Sequence, residues 1–298
     1  MYLVAFLVAY LLFRYQLKAE RLEISDDEVL NIFFWAILGL ILGARIFATL
    51  VYDPEGVYLQ KPWLIFWPFD QHMQLVGLQG MSYHGGLIGA VLAGGIYCRV
   101  KRHSFLQITD LVVAGIPLGY TFGRLGNFIN GELWGRVTTA GIGMIFPHAP
   151  GFSTSHEWVR EVAENHGISY SAGEVIQLPR HPSQLYEAFF EGIFLWILLW
   201  FIFRKRKKFP GYMLGIYLIG YGTVRFFIEY FREPDIGIGY PIQLGKAAYP
   251  QALFLSPWNF TTGQILCLLM IIGGAVLLWW RGRVSRRSQG GTVTGGRR

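Results

Sequence analysis

The sequence predicts an all-α, polytopic integral membrane protein of seven transmembrane helices, the first N-terminally truncated, with an outward head inserted between helices 4 and 5. Three observations predict it. Charged residues make up 15% of the 298 positions against 53% hydrophobic, whereas soluble domains carry about 25% charged residues. Apolar runs near residues 29–52, 82–100, 108–123, 183–203, 212–231 and 260–280 are close to the ~20 residues that cross a bilayer. Basic residues crowd every second segment between those runs, as short cytoplasmic loops require.

The first element, Met1 to Phe13, is too short for a hydrocarbon core of about 30 Å at ~1.5 Å per residue, so it reads as the second half of a helix. A signal peptide would need a basic stretch before it and a small-residue cleavage site after it, and neither is present. The basic clusters Arg14/Lys18/Arg21, Arg99/Lys101/Arg102, Arg204 to Lys208 and the tail after Trp280 hold most of the 26 Lys and Arg. They place the N-terminus outside, the C-terminus inside, and segments 53–81, 124–182 and 232–259 outward. Segment 124–182 is too long for a plain loop and reads as a folded head. Residues 1–284 then form one transmembrane catalytic domain, and 285–298, rich in Gly, Ser and Arg, a disordered cytoplasmic tail.

The net charge of +7 follows this topology and does not cluster with stacking aromatics, which excludes a nucleic-acid partner. Gly39/Gly43, Gly85/Gly89, Gly115/Gly119/Gly123 and Gly211/Gly215 have the four-residue spacing that lets helices approach closely in lipid. Cys98 and Cys267 have no ligand spacing and read as packing residues.

The candidate site centres on Gly123-Arg124-Leu125-Gly126-Asn127 through Glu132, Gly135 and Arg136, because ionisable groups at membrane depth are costly and are kept for a task. Arg45 and Arg124 lie about 24 Å along their spans and Arg225 about 20 Å along its own, all in the outer half of the bilayer. His84, Glu187 and Glu191 enter from the same side, and Asp110 at the inner end is the exception. Tyr221, Arg225, Glu229 and Arg232 share one helical face. An Arg225–Glu229 pair would also serve simply to neutralise two buried charges. The excess of arginines over obvious acidic neighbours favours an anionic lipid headgroup, since the guanidinium fork suits phosphate. His84, beside Tyr83 and before Gly85-Gly86, is either a structural helix-end residue or a base with a suitable pKa.

Four blocks carry a resemblance: Gly80-Met81-Ser82-Tyr83-His84-Gly85-Gly86, the stretch Gly123 to Arg136, Arg180-His181-Pro182-Ser183-Gln184-Leu185-Tyr186-Glu187, and Gly220-Tyr221-Gly222 through Arg225, Glu229 and Arg232, with Gly263-Gln264 following. In order and spacing the chain resembles the bacterial prolipoprotein diacylglyceryl transferases over nearly its whole length. The resemblance implies seven spans, a periplasmic head and an active site at the periplasmic leaflet of the inner membrane. It also implies transfer of a diacylglyceryl group from phosphatidylglycerol to the lipobox cysteine of a preprolipoprotein signal peptide, with glycerol phosphate released. Family chains carry about two dozen residues before the position of Met1, including a tyrosine important for function, so the start of this chain is expected to have been assigned late.

For that reaction His84 is the candidate base for the thiol, the alternative being an arginine field that lowers the thiol pKa without a discrete base. Arg124 and Arg225, which the resemblance supports as essential positions, are assigned to the lipid phosphate. Asn127 and Tyr221 act as neutral donors to the headgroup, with Tyr83 beside them in the substrate-binding set. Glu132 and Glu229 orient arginines or headgroup hydroxyls, and Gly135 allows close backbone approach. No cofactor or metal is implied, and the seven histidines show no H-E-x-x-H spacing. A transporter would need broken helices or polar groups at both leaflets, and an intramembrane hydrolase an activated Ser or Cys or paired Asp. An acyltransferase or phosphotransferase is the nearest rival chemistry.

Overall fold

The computed structural model describes residues 1–51, 56–69, 74, 77, 80–234, 239–245 and 252–290. Their helices are α1 (Tyr2–Ala19), α2 (Asp26–Val51), α3 (Val57–Gln60), α4 (Tyr83–Val100), α5 (Phe105–Val113), α6 (Ile116–Ile129), α7 (Glu157–Asn165), α8 (Ser183–Arg206), α9 (Tyr212–Ile228) and α10 (Thr262–Gly290). Two short antiparallel ladders accompany them, β1 (Phe152–Ser153) with β2 (Val175–Ile176) and β3 (Ile242–Gln243) with β4 (Asn259–Phe260). The chain divides into two compact units, Met1–Phe13 with Thr109–Arg298, and Arg14–Ile108.

Helices α2, α8 and α10 are long and apolar enough to cross a membrane, and α5 with α6, bent by 49°, can count as a fourth span. The bend corrects the straight span expected at 108–123. Gly115 precedes α6 and Pro117 occupies its first turn, where a missing N–H is harmless to the new helix but interrupts the old one. Because α6 runs on to Ile129, Arg124 and Asn127 lie inside a helix and not just past its end. The first helix likewise continues through Arg14 and Lys18 to Ala19, and α10 continues to Gly290, beyond the expected start of the tail. Residues 291–298 lie outside the described residues.

In the unit Arg14–Ile108, α2 starts with a reciprocal cap, Ser25 Oγ accepting from Glu28 N at 3.2 Å while Ser25 N donates to Glu28 Oε2 at 3.3 Å. Its Gly39 and Gly43 meet Gly85 and Gly89 of α4 so closely that a Cβ on Gly39 would lie 2.5 Å from Gly89 O. The four-residue glycine spacing is therefore a helix crossing. Outward from it, Leu30, Phe34, Trp35 and Ile41 are exposed, as suits a lipid-facing side.

In the other unit, Gly215 of α9 and Gly274 of α10 face each other, a Cβ on Gly274 falling 2.7 Å from Gly215 O. Asp110, the inner-end exception, caps α9: its carboxylate accepts from Gly211 N at 2.9 Å and Leu214 N at 3.0 Å, satisfying donors that every helix start leaves open. Segment 130–182 is folded around a small core of Val137, Val159, Val162, Ala163, Ile176 and Leu178. At α10, Thr261 and Gln264 form a second reciprocal cap, Thr261 N donating to Gln264 Oε1 at 3.0 Å and Gln264 N to Thr261 Oγ1 at 3.2 Å.

Candidate functional site

Three helices of the unit containing residues 109 to 298 bring their charges to one place. Helix α8 opens in ordinary α form and widens to i→i+5 bonding over Glu187–Phe194. Such wide turns are frequent at functional sites, and residues four apart lie on one side of a helix. Glu187 and Glu191 consequently sit on one side of α8 at 0% and 1% exposure, which is tolerable only for well-partnered carboxylates.

Helices α6 and α9 supply the partners. Arg225 Nη1 lies 2.9 Å from Glu187 Oε2 and 3.4 Å from Glu191 Oε1, and its Nη2 lies 3.0 Å from Glu229 Oε2. Arg232, just beyond α9, places Nη1 2.9 Å from Glu187 Oε1. Arg124 of α6 places Nε 3.0 Å from Glu187 Oε2 and donates to Tyr120 Oη at 2.6 Å. Tyr120 Oη in turn donates to Glu191 Oε2 at 2.7 Å. Thr261 Oγ1 donates to Glu229 Oε1 at 3.1 Å, and Gly263 leaves room for that carboxylate, since a Cβ there would lie 2.8 Å from Glu229 Oε1.

This corrects the expected excess of positive charge. Among the described residues, three arginines face three glutamates, so the network is formally neutral. Arg45 belongs to the other unit and points at main chain, donating to Ile65 O at 2.5 Å, Gly80 O at 3.3 Å and Leu64 O at 3.5 Å.

The other expected site residues each have their own surroundings. Asn127 Nδ2 donates to Glu132 Oε1 at 2.8 Å, and the Glu132 carbonyl accepts from the fully buried Gln184 of α8 at 2.7 Å. Tyr221 packs edge-on against Tyr120 and stacks on Tyr217. Gly135 lies where two chain segments touch. Its N donates to His181 O at 2.9 Å, and a Cβ would sit 2.6 Å from that oxygen and closer still to Phe231 O. His84 is exposed in the first turn of α4, in the unit Arg14–Ile108, behind the N-cap Ser82. The side chain of Tyr83 lies outside the described residues.

Residues with no individual role assigned from the sequence lie in the same unit. Tyr120 is the hub between Arg124 and Glu191, and the signal was its position one turn before Arg124. Arg180, fully buried, pairs with Glu233 at 2.6 Å and bonds Gly135 O at 3.2 Å. Buried Arg136 bonds Tyr240 Oη, and Leu253 O at 3.1 Å. Beside them, burial and then the charge of Arg136 hold the His181 ring below the usual histidine range. The described residues contain no group of three or more His, Cys, Asp or Glu able to hold a metal ion.

Apolar helices enclosing a buried cluster of arginines and carboxylates define a multi-pass membrane protein with a charged site among its helices. Residues 1–280 match the model of the prolipoprotein diacylglyceryl transferase family. The chain is similar to the phosphatidylglycerol–prolipoprotein diacylglyceryl transferases of Treponema denticola, 50% identical over 99% of this chain and 92% of the relative, and Treponema pallidum, 50% identical over 92% and 86%. The Chlorobaculum tepidum enzyme of the same name is 43% identical over 100% of this chain and 89% of its own. The chain belongs to the prolipoprotein diacylglyceryl transferase family and is a transferase.

Proposed function

We propose that this protein transfers the diacylglyceryl group of phosphatidylglycerol to the lipobox cysteine thiol of a preprolipoprotein, the first step of lipoprotein maturation. Family membership over residues 1–280 supports the reaction. The observation that carries the site assignment is the posture of Arg124. Its Nε edge is held by Tyr120 and Glu187, while its Nη edge has no partner among the described residues and its side chain keeps 19% exposure. An arginine anchored by one edge offers the other to a phosphate.

In this reading the lipid phosphate docks on the Nη edge of Arg124, with Arg225 beside it. The thiol sulfur attacks the glyceryl carbon that bears the phosphoester. A C–S bond forms, the C–O bond breaks, and glycerol phosphate leaves with the electron pair while the guanidinium groups stabilise its growing charge. The thiol proton passes to a base, for which His84 is the candidate. Free thiols have a pKa near 8.5, so a base or a positive field must raise the thiolate fraction. Asn127 and Tyr221 contact the headgroup, and Glu132 and Glu229 hold donors in place. Seven spans, an outward head over 124–182 and a site at the periplasmic leaflet of the inner membrane belong to the same reading, supported by the alternation of basic loops.

The test is a mass measurement on the detergent-extracted protein with phosphatidylglycerol and a lipobox peptide, beside a Cys-to-Ser peptide. A diacylglyceryl gain on the cysteine peptide alone, with glycerol phosphate released, is expected. Gain on neither peptide contradicts the reading.

A further inference from the structure

Tyr120 holds a place that the reaction scheme does not use. It lies one turn before Arg124 on α6, and the guanidinium carbon of Arg124 sits 4.7 Å from its ring centroid. Its hydroxyl is 2.6 Å from Arg124 Nε, 2.7 Å from Glu191 Oε2 and 3.2 Å from Glu187 Oε2. A phenol has one proton to give and lone pairs to receive with. The lone pairs take the Arg124 N–H, so the proton goes to one carboxylate, and the shorter distance selects Glu191. At 1% exposure Glu191 has Arg225 Nη1 at 3.4 Å as its other partner, so the hydroxyl makes the shorter of its two bonds.

The donor chain Arg124 to Tyr120 to Glu191 therefore has a fixed direction, and it fixes the Arg124 plane. Without it, the flexible arginine stem could turn its fork onto Glu187, whose Oε2 is already 3.0 Å from Nε. An incoming anion would then meet a guanidinium spent on a carboxylate.

We propose that Tyr120 is a positioning residue: its hydroxyl, locked by Glu191, keeps the Nε edge of Arg124 turned inward and the Nη edge presented to the phosphate of the lipid donor. This rests on the reading of Arg124 as the phosphate ligand. The device acts on the lipid substrate and not on the peptide, which separates it from a purely structural hydrogen bond. Two-point recognition of phosphate depends on the plane of the fork as well as its charge, so loss of the hydroxyl weakens lipid binding while the charge stays.

The experiment uses Tyr120→Phe, which keeps the ring beneath Arg124 and its edge contact with Tyr221 at 6.1 Å and removes the hydroxyl alone. The KM for phosphatidylglycerol is expected to rise about tenfold, the scale of one charge-assisted hydrogen bond. The KM for the lipobox peptide should stay unchanged. Both are ratios within one sample, so partial misfolding of the variant moves neither. Equal rises in both constants, or no rise in either, overturn the Tyr120 proposal. Arg124→Ala is run beside it. Abolished transfer in that variant keeps the Arg124 reading whatever Tyr120→Phe does, and wild-type transfer overturns that reading and the proposal that rests on it.

Discussion

Arg124 meets Glu187 through its Nε, 3.0 Å from Oε2, and not through its fork. Glu187 has 0% exposure and also takes Arg225 and Arg232 at 2.9 Å each, on its two oxygens. One carboxylate thus gathers three arginines from two neighbouring chain segments and leaves one of them with an edge to spare.

Glu187→Gln should therefore be severe. It leaves three guanidinium groups facing two carboxylates in a buried setting, the kind of broken ion-pair network that costs about 3–5 kcal/mol. Thermal unfolding in detergent should show a large drop, with transfer lost. An unchanged unfolding temperature would contradict this account of the network.

Gly135→Ala is expected to destabilise by about 1–3 kcal/mol and to reduce transfer, because its Cβ would fall 2.6 Å from the main-chain oxygen of His181. Gly141→Ala is the control, since a Cβ there meets nothing within 4 Å. Similar unfolding curves for the two variants would contradict the packing explanation.

Asp110→Ala should cost about 1–2 kcal/mol through the lost cap on Gly211 and Leu214, and leave the KM for phosphatidylglycerol unchanged. A shifted KM would tie the α9 cap to the lipid site.

His181 makes the expected pH response. Burial and Arg136 lower its folded pKa, so the unfolded chain binds the proton more readily. Its contribution is complete above the unfolded value of about 6.5 and is lost as pH falls from there through the folded pKa. The unfolding temperature should decline in that window, and His181→Gln should flatten the decline. An identical slope in the variant would assign the effect elsewhere.

Local features were legible in the sequence and long-range ones were not. Apolar runs located the helices α2 and α9 to within a few residues, because a long apolar run is readable without knowing what packs against it. The pairing of Arg225 with Glu229 was readable from four-residue spacing. The bend between α5 and α6 had its signal in Gly115 and Pro117, but the apolar run through them hid it. Arg45 looked like a spare charge because it donates to main-chain oxygens, which leave no trace in a residue pattern. Tyr120 was hidden for a related reason: a tyrosine in an apolar span is ordinary until Glu191, seventy-one positions away, is seen against it.

In the proposed reaction the Arg124 fork, and not merely its charge, grips the lipid phosphate. Arg124→Lys tests it most directly, because lysine keeps the charge and loses the planar pair of donors. Diacylglyceryl transfer to a lipobox peptide, followed by mass, should fall about 100-fold or more in kcat/KM for phosphatidylglycerol while the variant unfolds near the wild-type temperature. Wild-type kcat/KM in the lysine variant would contradict the account.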